Sequence, residues 1–251
     1  MNLRCKFTTS GLPILTVEDT EQLGSDFVKE HQPFALHHPQ ATDIQAIMHD
    51  DMEMTIYDRI ITPDCSILGL ISFDDLQIPI FDEFMKPNSL RVKAGNVIID
   101  PRLKEVPTRY RFTLMHEVAH WELHKSLYMP SNNRKYIHRC NGYSYVACKR
   151  DPKEYGRKNP KQAVEDVEWG EWQADNFAGA VLMPRETFIP AAQDVMRKMG
   201  YRDLHIVAGR PDPHRIEVLN SLASMYQVSR RSAKIRMRML GLYVEPSDKL
   251  A

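Results

Sequence analysis

Within the stretch RFTLMHEVAHWELHK, Arg111 to Lys125, three histidines and a glutamate fall at helical spacing. Residues four apart on an α-helix differ by roughly 40° of rotation and one turn of rise, so His116 and His120 can present imidazole nitrogens to one ion. Glu117 stands on the adjoining flank, where a carboxylate cannot easily ligate but can reach a water that the ion has made acidic. A chain of this composition contains such an HExxH by chance with an expectation of about 0.02. The plainer reading, two hydrogen-bonded histidines on an ordinary amphipathic helix, is therefore the weaker one. A catalytic zinc also needs a third protein ligand and an open position. His124 is a poor third ligand: it lies about 12 Å along a straight helix from His116, too far for both to hold one ion at about 2 Å. It is expected behind the ligands or in packing, and the glycine turn and later histidine of HExxHxxGxxH are absent.

A better third ligand stands in EWQAD, which puts Glu171 and Asp175 on one face of a second helix. Glu171 can ligate while Asp175 hydrogen-bonds the free nitrogen of a ligating imidazole and fixes its tautomer. Glu165, Asp166 and Glu168 are rivals for the ligand role, but none has a carboxylate four residues on with an apolar stripe directly following. That stripe is Ala174, Phe177, Ala178, Val181 and Leu182, and the helix must stop at Pro184.

These helices need a scaffold. TVEDTEQLGSDFVKEH opens on a Thr/Asp cap signal and reads as a helix, with a second short one in ATDIQAIMHDDM. Between Met54 and Asp100 the runs MTIYDRII, SILGLISF, LQIPIF and AGNVIID are β-rich and separated by turn formers, which predicts a small antiparallel sheet against the HExxH helix. The fold class is therefore α+β. Residues 125–165 form a polar, basic insertion, in which Asn141-Gly142 between KYIHRC and YSYVAC reads as a hairpin turn. The tail, 201–251, holds two helical segments with Ser229 as a cap between them.

At 251 residues and 43% hydrophobic the chain can bury a real core. Thirty-three basic and thirty-three acidic residues cancel, so no field of the whole molecule draws it to nucleic acid or to a membrane. The N-terminus carries no apolar run of signal-peptide length, and no stretch has the length of a membrane span. Cys5, Cys65, Cys140 and Cys148 include no CxxC pair and suit reduced, structural thiols. A cytoplasmic protein with no membrane partner is expected.

RFTLMHEVAH, EWQADNFAGAVLMP and the upstream NVIID together resemble the ImmA/IrrE family of zinc metallopeptidases, over about residues 40 to 240. The resemblance implies a gluzincin-type, zincin-like fold over residues 1–200, with one zinc per chain on His116, His120 and Glu171. It further implies Glu117 as general base, Asp175 supporting the metal shell, and a helix-turn-helix repressor as the protein substrate. The long basic spacer departs from the family pattern, and no additional C-terminal sensory domain of the kind longer members carry is expected.

Peptide hydrolysis needs a group to stabilise the tetrahedral oxyanion. His124, His138, Tyr143 and Tyr145 are candidates for that role or for substrate contact, and the sequence does not choose among them. A rival function resides in LASMYQVSRRSAKIRMRMLGL, which has the texture of a helix-turn-helix whose second helix bears Arg230, Arg231, Lys234, Arg236 and Arg238. On that reading the chain is a DNA-binding regulator with a structural or vestigial zinc site. Zero net charge and the lack of a minor-groove arm favour packing of this segment over direct DNA binding.

Overall fold

The β-rich runs between Met54 and Asp100 become strands, and one more strand joins them from the insertion. The structure, a computed structural model, describes residues 5–9, 11–128, 145–149 and 166–244. Its strands are β1 (Ile56–Asp58), β2 (Ile67–Ser72), β3 (Leu76–Phe81), β4 (Pro87–Val92), β5 (Val97–Ile99), β6 (Tyr145–Lys149), β7 (Ile206–Val207) and β8 (Tyr243–Val244). The helices are α1 (Val17–His31), α2 (Ile44–Ala46, running into a π-turn), α3 (Pro107–Tyr128), α4 (Asp166–Leu182), α5 (Arg185–Lys198), α6 (Arg215–Tyr226) and α7 (Arg230–Met239). The class is α+β. Two compact units form, Met1–Thr20 with Ile44–Ala178 and Glu21–Asp43 with Gly179–Ala251.

In the first unit the sheet order is β1-β5-β2-β6. β5 and β6 both run antiparallel to β2, but β1 runs parallel to β5 with Ile56 opposite Val97, so the expected antiparallel sheet is a mixed one. The parallel pair is possible because β2, β3 and β4 lie between β1 and β5 in the chain and supply the long return that a parallel pair needs. β3 and β4 form a separate antiparallel ribbon. Side chains alternate across the sheet. Leu70 and Ile98 face one way, into a cluster with Ile61, Ile78, Ile80 and Val92, so that the ribbon covers that face. The opposite face, with Gly69, lies under α3.

β6 comes from the insertion. Its register places Ala147 opposite Leu70 and Val146 opposite Ile71, so the second half of the expected hairpin is a strand of the central sheet. The first half, with the Asn141-Gly142 turn and Cys140, lies outside the described residues.

Thr16 starts α1 with a reciprocal cap: its Oγ1 accepts from the Asp19 amide while Asp19 Oδ2 accepts from the Thr16 amide. In the second unit Phe188 of α5 and Tyr226 of α6 bring their rings to 5.3 Å, and Val218, Leu222, Ala233 and Met237 are buried with them. Gln227 ends α6 in the left-handed region at φ 50°, and Ser229 Oγ accepts from the Ser232 amide to start α7. The two tail helices and the cap between them stand where the sequence puts them. No described helix is long and apolar enough to cross a membrane.

Candidate metal centre

α3 begins at Pro107, whose missing N–H costs nothing in a first turn. Its middle is buried on every side: Leu114, Met115, Val118 and Ala119 are inaccessible, and so are His116, Glu117, His120 and His124. Four polar side chains among these eight buried positions would destabilise the fold unless each had a partner. α4 meets that need. Its apolar residues Ala174, Phe177, Ala178, Val181 and Leu182 are all buried, and its polar residues Glu171, Gln173 and Asp175 reach the histidines.

His116 Nε2 lies 3.2 Å from Glu171 Oε2, and His120 Nε2 lies 3.4 Å from Glu171 Oε1. The two Nε2 atoms are 3.0 Å apart, with the rings edge to face. His116, His120 and Glu171 thus form a group that could hold a metal ion. Behind His116, Nδ1 meets Asp175 Oδ1 at 2.9 Å, while Asp175 Oδ2 is buried with no partner among the described residues. Behind His120, Nδ1 meets His124 Nδ1 at 2.9 Å, and His124 Nε2 meets Gln173 Oε1 at 2.9 Å. Glu171 is the partly open member, with its side chain 29% exposed against 1% and 2% for the two histidines.

The electrostatics follow from burial and from these neighbours. Burial pushes His120 below its ordinary value, against the pull of Glu171. It pushes His124 down to about 3, with His120 adding to the effect, so this imidazole is neutral at physiological pH. Burial alone would raise Glu171, but His120 and His116 outweigh it and hold the carboxylate well below its usual range. Asp175 is pushed up to about 7 by burial, with its bond to His116 pulling the other way.

Of the residues expected at the site, His116, Glu117, His120, Glu171, Asp175 and His124 are brought to one place. Glu117 packs against β2, where a Cβ added at Gly69 would stand 2.7 Å from Glu117 Oε1. His124 is not a third ligand, and both its ring nitrogens are engaged in the interior. It therefore has no atom to offer an oxyanion. His138 and Tyr143 lie outside the described residues; Tyr145 begins β6, of which the backbone is described. Among the rivals to Glu171, Glu168 is exposed and outside the ligand group, Glu165 lies outside the described residues, and of Asp166 only the backbone is described. Gln173 and Gly69 are contributors that spacing did not reveal.

Comparison with family models finds no match to this chain, and no curated protein matches it either.

Proposed function

We propose that the chain is a cytoplasmic zinc-dependent endopeptidase of the ImmA/IrrE type, with a zincin-like core, one zinc per chain and a helix-turn-helix repressor as substrate. The observation that carries this reading is the convergence of two imidazole Nε2 atoms and one carboxylate on a single point, with Glu117 next in sequence to the first of them. Ligands held at about 2.0–2.1 Å by a tetrahedral zinc stand roughly 3.3–3.4 Å apart. The three separations here are 3.0, 3.2 and 3.4 Å. The donor set of two histidines and a glutamate is one that catalytic zinc sites use, and it leaves a fourth position for substrate or water.

When bound, zinc supplies Lewis acidity, which polarises a peptide carbonyl and lowers the pKa of water. Glu117 accepts the proton of the attacking water and returns it to the leaving amine. Asp175 holds His116 in its ligating orientation, and Glu171 opens the site to solvent on its side. β6 is an edge of the four-stranded sheet among the described residues and neighbours α3, so it can align an extended substrate by backbone pairing.

The DNA-binding reading loses its main support in α7. Arg236 is buried, and Lys234 and Arg238 lie over the ring of Tyr243, at 4.9 and 5.3 Å from its centroid. Only Arg230 and Arg231 are left as fully exposed cations of the five, too few for a phosphate-facing helix.

The test is metal content and cleavage in a set of variants. His116→Ala, His120→Ala and Glu171→Ala are each expected to lose zinc. Glu117→Gln is expected to keep zinc and to lose cleavage by a factor of about 10² or more, since it removes a general base and no ligand. Full zinc in Glu171→Ala would remove Glu171 from the ligand set, and cleavage by Glu117→Gln at the parent rate would end the mechanism.

A further inference from the structure

Three polar groups stand behind His120 without touching the ligand point: the His124 ring, the Gln173 amide and the Pro13 carbonyl. Their proton placement can be worked out from the far end. A peptide carbonyl only accepts, so Gln173 Nε2, 2.6 Å from the Pro13 oxygen, donates to it. That turns Gln173 Oε1 toward His124 Nε2 at 2.9 Å. Oε1 also only accepts, so His124 Nε2 carries a proton; the ring is buried against an imidazole and an amide, neither of which carries the negative charge that would stabilise an imidazolium, so its lone pair is on Nδ1. His120 Nδ1, 2.9 Å away, must then be the donor, and His120 Nε2 is left with a lone pair. That lone pair points at His116 Nε2 and Glu171, and when His116 Nδ1 donates to Asp175 Oδ1 its Nε2 offers a second lone pair there. Two imidazole lone pairs and a carboxylate facing one point are an arrangement that a cation satisfies.

We infer that His124 and Gln173 are positioning residues that lock His120 in its Nδ1–H tautomer and aim its Nε2 lone pair at the metal; the inference rests on the metal-binding reading above. The two ligand histidines are thereby held by unlike means. His116 leans on a carboxylate, Asp175, whereas His120 leans on an uncharged relay that ends on backbone. A second carboxylate in that place would add another negative charge beside Glu171 and weaken the ion's pull on a substrate carbonyl. The neutral relay fixes the tautomer without that cost.

The direct test needs no substitution. In the zinc-loaded full chain, long-range ¹H–¹⁵N correlation spectra of the histidine rings are expected to show Nδ1–H on His120 and Nε2–H on His124. Chelator competition gives the second readout: His124→Leu and Gln173→Met are expected to bind zinc about 10–100-fold more weakly. His124→Asn, which keeps an acceptor near the Nδ1 position, is expected to recover most of the loss. Cobalt substituted for zinc should show a ligand-field spectrum that shifts in His124→Leu and returns toward the parent spectrum in His124→Asn. A proton on His124 Nδ1, or parent affinity in folded His124→Leu and Gln173→Met, would overturn the positioning role while leaving the metal site standing. A parent protein that takes up neither zinc nor cobalt would overturn the metal reading and this one with it. If the substituted chains do not fold, the tautomers of the parent protein decide.

Discussion

Gly69 is where a single methyl group would test the site without touching a ligand. A Cβ there would stand 2.7 Å from both Glu117 Oε1 and Thr113 Cγ2, and β2 beneath it is paired on both sides, which leaves the backbone little freedom to yield. Gly69→Ala is therefore expected to displace the Glu117 carboxylate and, on the proposed function, to lower cleavage at least tenfold with the zinc content of the parent. Loss of zinc in that variant would mean that the strain reaches His116 instead. His116, Glu117 and His120 could be read from sequence because a four-residue interval on a helix is a statement about direction. Glu171 and Asp175 could be read for the same reason. Gly69, Gln173 and the Pro13 carbonyl could not: an empty side chain, a neutral amide and a backbone oxygen leave no periodic trace. His124 was rightly separated from the ligands by its rise along the helix, but its partners sit on α4 and in the N-terminal segment, where spacing along α3 gives no information.

Among the elements, α7 sorts its basic residues by depth. Arg236 is buried and forks onto Glu21, with Nη2 2.8 Å from Oε2, a second contact from Nη1 to Oε1, and Nε donating to the Met183 carbonyl at 2.9 Å. Removing one member of such a pair leaves a buried charge, so Arg236→Met or Glu21→Gln is expected to destabilise the chain by about 3–5 kcal/mol in denaturant unfolding. The double substitution Glu21→Leu with Arg236→Met should recover most of that loss, whereas Arg231→Glu on the exposed flank should change stability by less than about 0.5 kcal/mol. Recovery by the double variant separates a buried pair from two independent contacts. The elements that were legible are those with a strong internal pattern: α1 by its cap, α3 and α4 by their period, and β2 by its run of apolar residues. β4 escaped notice because PNSLRV is polar and mostly exposed. α5 escaped because Pro190 sits inside it, where a proline ordinarily argues against a helix. The parallel pairing of β1 with β5 was invisible since pairing partners distant in the chain carry no local signal.

For the molecule as a whole, equal numbers of positive and negative residues leave recognition to local features. The basic run from Lys149 to Lys161, most of it outside the described residues, is the one that could select a protein partner. Deleting residues 132–149 would remove β6 from the sheet, so charge reversal is the cleaner test. On the proposed function, replacing Lys153, Arg157 and Lys158 by glutamate is expected to lower kcat/KM on the proposed repressor substrate at least tenfold with metal content unchanged, and the parent protein should barely cleave casein. Fast digestion of casein would argue for a generic peptidase. The order of the site's parts along the chain adds a consequence in time. During synthesis at roughly 5–20 residues per second, Glu171 follows His120 by about 3–10 s. Gln173 must then find a carbonyl 160 residues behind it before His120 is held in place. A nascent chain therefore carries two imidazoles without their carboxylate and without their support. On the proposed function, a chain built in this order stays silent on the ribosome, and any cutting power arrives only when the fold that restrains it is nearly complete.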